Sequence, residues 1–141
     1  MIEYLLAVGG TLGLSGLSGL WIRRRAQRAH VIETRTAWMS TGQRVRFGPV
    51  GVISYAPLPQ QVYERGTFGA LGIVNNELVI EGHRDHRADL HLPLDRIQRI
   101  DLATVPVRTA GLTAQRQALS VHHQGPEGWR VATIMSDDPQ D

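Results

Sequence analysis

The chain of 141 residues contains no cysteine. Disulfide frameworks, thiolate nucleophiles and cysteine metal sites are therefore excluded. It also contains no lysine. All fifteen basic side chains are arginine, which reads as compositional bias. Without a Lys-Ser/Thr pair, the glycine-rich stretch Gly66–Gly72 cannot be a phosphate-binding loop of the Walker type, and its glycines read as turn and strand-packing positions. No G-x-S-x-G elbow occurs, and no order of carboxylate, histidine and nucleophile is discernible, so nothing points to an enzyme. Aromatic residues make up only 6% of the chain, and no basic stripe carries interleaved aromatics, which argues against a nucleic-acid partner.

Charge is missing from one place in particular. Tyr4–Ile22, YLLAVGGTLGLSGLSGLWI, holds no charged side chain, and Arg23, Arg24, Arg25 and Arg28 follow it. A helix rises ~1.5 Å per residue, so this run matches the ~30 Å hydrocarbon core of a bilayer. A cleaved signal peptide calls for cations before the apolar run, where only Glu3 stands, and a small-residue cleavage site after it. A buried core helix calls for a polar face, and here only Gly, Ser and Thr are available. A single transmembrane anchor fits best, with Tyr4 and Trp21 near the two headgroup layers. The arginine flank orients it: N-terminus outside, remainder cytoplasmic, in the cell (inner) membrane.

Within the anchor, Gly9, Gly13 and Gly16 share one helical face at ~100° per residue. Small residues let helices approach closely in lipid, so this stripe suggests packing against other membrane subunits or a second copy of the chain. The formal net charge of +2 resides in the flank; residues 31–141 are close to neutral. The flank arginines are also candidates for contact with anionic headgroups, although fixing topology is sufficient reason for them.

The organisation expected is an anchor over 1–22, a basic juxtamembrane helix over 23–42, a β domain over 43–135 and a disordered tail over 136–141. No Gly or Pro interrupts Arg23–Met39, and Ser40-Thr41-Gly42 forms a stop. Thereafter short β-branched segments alternate with turn signals. Val45 and Phe47 read as a strand broken by Gly48-Pro49, with Gly51–Tyr55 a second short strand. Ala56-Pro57-Leu58-Pro59 is a connector that cannot lie mid-sheet. Gly69–Val74 and Glu77–Gly82 form a hairpin about Asn75-Asn76. In the strand over Ala88–Leu92, Leu90 and Leu92 share the face opposite Asp89 and His91. In Ile97–Val105, Ile97, Ile100 and Leu102 are the expected inward residues. Thr109–Gln117 reads as a polar loop, and Ala118–His122 pairs with Trp129–Met135.

The run Gly69-Ala-Leu-Gly-Ile-Val-Asn-Asn-Glu-Leu-Val-Ile-Glu-Gly82, with Leu92-Pro-Leu-Asp-Arg-Ile-Gln-Arg-Ile-Asp-Leu102 after it, resembles the strand, Asn turn, strand and "IPLxxIxxI" pattern of bacterial PH-like (GRAM-like) domains. The resemblance covers roughly residues 67–135. It implies two roughly orthogonal antiparallel sheets in a partly open barrel of about seven strands. Such barrels are usually capped by a C-terminal helix. Here Asp137-Asp138-Pro139 stands where that helix would open and the given sequence stops at Asp141, so the juxtamembrane helix, a partner or the membrane is expected to cover the barrel end. In eukaryotic relatives basic residues of the first hairpin clamp phosphates, which makes Arg44 and Arg46 headgroup candidates here.

The histidines His83, His86 and His91, with Asp85 among them, offer at most part of a zinc site, and a polar hairpin tip explains them more simply. No cofactor is implied. The leading expectation is a non-catalytic, membrane-anchored scaffold or accessory subunit of a membrane complex. The alternative is a peripheral module binding anionic lipid.

Overall fold

The computed structural model describes residues 2–55, 62–63, 66–84 and 89–136, with side chains from Ser18 onward. One helix precedes seven antiparallel strands: α1 (Ile2–Ser40), β1 (Val45–Tyr55), β2 (Thr67–Val74), β3 (Glu77–Gly82), β4 (Leu90–Pro93), β5 (Ile97–Thr109), β6 (Leu112–Gly125) and β7 (Gly128–Ser136). The expected anchor and juxtamembrane helix are thus one continuous α1. It ends as its sequence suggests. The Thr41 amide donates to the Ala37 carbonyl at 3.1 Å, the Gln43 amide to the Trp38 carbonyl at 3.1 Å, and Gly42 takes φ +71°. Among the described residues no helix is long and apolar enough to cross a membrane. Most of the apolar run, including Gly9, Gly13 and Gly16, falls among residues 1–17, whose side chains lie outside the described residues.

The strands form one sheet in the order β4-β3-β2-β1-β7-β6-β5. Val52, Leu71, Ile80, Leu92, Val121, Ala132 and Ile134 form one buried cluster, with Ile97 of β5 packed against it. Both edge strands therefore contribute to the same core, so the sheet curls on itself, while β4 and β5 are joined only through a 3-10 turn at Leu94–Arg96. Ile80 is fully buried, a burial that contributes about 1.5–3 kcal/mol.

Three local expectations need correction. Val45–Tyr55 is one strand, not two: two register shifts and a left-handed Gly48 (φ +80°) absorb Pro49 without ending the ladder. Thr109–Gln117 is not a loop. Ala110 and Gly111, both at positive φ, make a two-residue turn, and the ladder runs from Thr109↔Leu112 to Ile97↔His123. Of the residues expected inward on β5, only Ile97 packs on the core; Ile100 and Leu102 are 55% and 65% exposed. Alternation placed them on the core side, but nothing among the described residues covers that end. The residues of β5 that are sheltered are Val105 and Val107, which pack on the other face with Tyr55, Tyr63, Ala118 and Met135.

The helix does not cap the core. Leu71 and Ile80 pair across β2 and β3 and face the interior, so their neighbours Gly72 and Val79 face the opposite side. There Trp38, 3% exposed, packs with Val74, Val79 and Val45. Its indole Nε1 donates to Glu81 Oε1 at 2.8 Å. Gly72 makes this possible: a Cβ there would lie 2.5 Å from Trp38 Cζ3. His30, two turns earlier, lies 2.8 Å through Nε2 from the Glu81 carbonyl. The C-terminal half of α1 therefore lies along the outer face of the β2–β3 hairpin.

Candidate functional sites

Two surface depressions stand out. The first continues the core outward. Phe47, Val50, Leu102 and Leu119 lie on its side of the sheet, because Val50 pairs with Leu71 and Leu119 pairs with both Leu102 and Ile134. They are 51%, 39%, 65% and 39% exposed and line a mainly apolar groove of about 440 Å³. This is the end of the curled sheet that α1 leaves open. Apolar faces that stay contiguous and wet generally mark an interaction site.

The second depression is polar, holds about 550 Å³, and lies between α1 and the base of the β2–β3 hairpin. The helix contributes Ile22, Arg23 and Gln27; the sheet contributes Thr67, His83 and Arg84. Gln27 is only 7% exposed. The His83 ring stacks at a tilt on His30, centroids 4.8 Å apart, and meets Phe68 edge-on. Desolvation, then His30 and Arg84, hold His83 below the usual imidazole range; only Glu33 acts in the other direction.

The basic residues singled out in the sequence fall into two groups. Arg23, Arg24, Arg25 and Arg28 are exposed on α1, with the Arg25 guanidinium 5.4 Å above the Trp21 ring. Arg44 sits at the other end of the hairpin. Its amide donates to Asn75 Oδ1 at 2.8 Å, and its carbonyl accepts from the Asn75 amide at 3.0 Å. Arg46 follows on β1, also exposed. Arg23 lies beside Thr67, at the start of β2, whereas Asn75 follows its end. At ~3.3 Å per residue the eight-residue β2 separates the two groups by roughly 25 Å. Arg44 and Arg46 therefore do not join the arginine flank in one surface.

His83 is half-buried; Asp85 and His86, its neighbours in the turn weighed as part of a zinc site, lie outside the described residues. Among the described residues no group of three or more acidic or histidine side chains could hold a metal. His91, on β4, lies 4.0 Å from Glu77, and His122, on β6, 3.0 Å from Asp101. Arg84 and Gln27 were not legible as site residues. Neither belongs to a motif, and they meet only because α1 lies along the hairpin.

No protein-family model, no curated protein and no solved structure matches this chain.

Proposed function

We propose that this chain is a non-catalytic, membrane-anchored interaction module: a single-span accessory subunit whose PH-like β domain docks onto a cytoplasmic surface of a membrane assembly. The observation that carries the reading is the groove at the open end of the sheet, where Phe47, Val50, Leu102 and Leu119 extend the core surface into solvent. Residues of this kind normally close a core, and burying a large apolar side chain contributes about 1.5–3 kcal/mol. A partner surface that covers four of them gains accordingly. Seven antiparallel strands in one curled sheet, with β6 and β7 as its final hairpin, support the PH-like reading. The charge-free run Tyr4–Ile22 with its arginine flank supports the anchor.

The test is purification from native membranes in mild detergent through a C-terminal tag, with mass spectrometry of the co-purifying proteins. A stoichiometric membrane partner is expected. It should be lost in Leu102→Asp/Leu119→Asp, which alters only exposed side chains, and weakened when Gly9, Gly13 and Gly16 become Leu. A monomer carrying no protein would overturn the reading.

A further inference from the structure

We propose that the cleft between α1 and the base of the β2–β3 hairpin is a phosphate-binding site formed by Arg23, Gln27, His83 and Arg84. It rests on the proposed anchor only for the source of the phosphate.

The cleft combines what such a ligand requires. Two guanidinium groups flank it, and neither forms an ion pair among the described residues. Arginine holds phosphate oxygens through paired N–H donors. Gln27, only 7% exposed, lines the same cleft from α1. A phosphate oxygen would accept from its side-chain NH2. The His83 ring also reaches the cleft. Its backbone is fixed by donation to the Phe68 carbonyl at 2.9 Å, and its ring is held by the His30 stack. The charged and titratable groups facing His83 are His30 and Glu33 of α1 and its neighbour Arg84. Arg23 and Arg84 favour an anion in the cleft, and Glu33 opposes it.

Position points to where the phosphate comes from. Arg23 is the first residue after the charge-free run, and Gly19 and Ile22 line the same cleft. If that run crosses a bilayer, the cleft opens at headgroup level with apolar surface on its membrane side. A lipid phosphate would enter there, whereas a soluble phosphate would enter from the aqueous side. The chemistry recognised is the same.

The experiment uses the full chain labelled with 15N at histidine and glutamine, followed by NMR. In detergent micelles it is titrated with inorganic phosphate. In parallel it is placed in nanodiscs of phosphatidylcholine alone or with phosphatidylglycerol. Saturable shifts of the His83 ring and Gln27 side-chain signals, with His91 unmoved, are expected. Arg84→Gln should weaken binding about tenfold, as loss of one charge-assisted pair does, while Arg44→Gln, at the far end of the hairpin, leaves it unchanged. His83→Gln serves as a second variant, read on Gln27. Signals already displaced by phosphatidylglycerol identify a lipid phosphate; signals that answer only to added phosphate identify a soluble one. No saturation in either medium, or an equal effect of Arg44→Gln, overturns the site. Failure of the anchor reads differently: the chain stays out of the nanodiscs, and the phosphate titration alone decides.

Discussion

Replacing Trp38 with alanine should undock α1 from the sheet, and the structure allows the cost to be worked out. The indole is 3% exposed and fills the space above Gly72, between Val74, Val79 and Val45. Removing a buried tryptophan costs about 3–5 kcal/mol, as lost transfer energy plus a cavity. Trp38→Phe keeps most of the ring and loses the 2.8 Å bond from Nε1 to Glu81. A hydrogen bond to a charged group contributes about 1.5–3 kcal/mol when buried, and Glu81 is part-exposed, so about 1–2 kcal/mol is expected. Gly72→Ala approaches the same contact from the other side. Its Cβ would lie 2.5 Å from the indole and 2.8 Å from the Phe47 carbonyl oxygen, an overpacking worth about 1–3 kcal/mol. The two changes should be less than additive, because removing the ring relieves part of the clash. The assay is thermal unfolding of the full chain, followed by far-UV circular dichroism of the sheet. For a domain of this size each kcal/mol lowers Tm by about 4–8 °C, so Trp38→Ala should cost on the order of 12 °C or more. Trp129, 58% exposed on β7, is the control. If Trp38→Ala shifts Tm no more than Trp129→Ala, the helix is not docked and the polar cleft beside it loses its helical wall.

Acid should weaken the fold through His123. Its Nδ1 is buried without a partner, and desolvation, then Arg130, hold its pKa below the ordinary value, opposed only by the ring's hydrogen bond to the Gln124 backbone. The native state then binds fewer protons than the unfolded one, so stability is full above the unfolded value of about 6.5 and falls as pH drops through it. Urea midpoints between about pH 7.5 and 5.5 should fall, and His123→Phe should flatten that slope; an unchanged slope would refute the assignment. At the β2–β3 turn, Asn75 and Asn76 both hold positive φ, at 51° and 69°. Asn76→Gly should leave stability equal or slightly raised, and Asn76→Ala should lower it by about 1 kcal/mol. Asn75→Ala should cost more, because it also deletes the bond to the Arg44 amide. Equal urea midpoints for both alanine variants would contradict this.

Local pattern was readable where one physical signal dominated. The Asn75-Asn76 hairpin follows from two residues tolerant of positive φ between alternating apolar runs, and the end of α1 follows from Gly42. The shared face of Leu90 and Leu92 followed from a period of two, and both pack on the core. The misreadings share a cause. Pro49 and the polar run 109–117 look like breaks, yet bulges and a two-residue turn keep the ladder intact because cross-strand pairing outweighs local propensity. On β5 the period identified the correct side of the sheet for Ile100 and Leu102 but not whether anything lies above it. Periodicity reports a face; it carries no information about the neighbour.

The polar cleft shows the same division. Arg23 is visible in the sequence as part of a flank. Arg84 and Gln27 become site residues only because a helix residue and a hairpin residue 57 positions apart are brought together. By itself the sequence determined the helix, its charge-free N-terminal run, the β character of the remainder and most of the turns, because each depends on residues within a few positions of one another. The tertiary structure alone decided which face of the hairpin α1 occupies, that the core opens into an apolar groove, and that Arg44 lies far from Arg23. Those outcomes depend on packing between distant segments. There, single contacts decide the geometry: an indole over Gly72, or an imidazole stacked on His30.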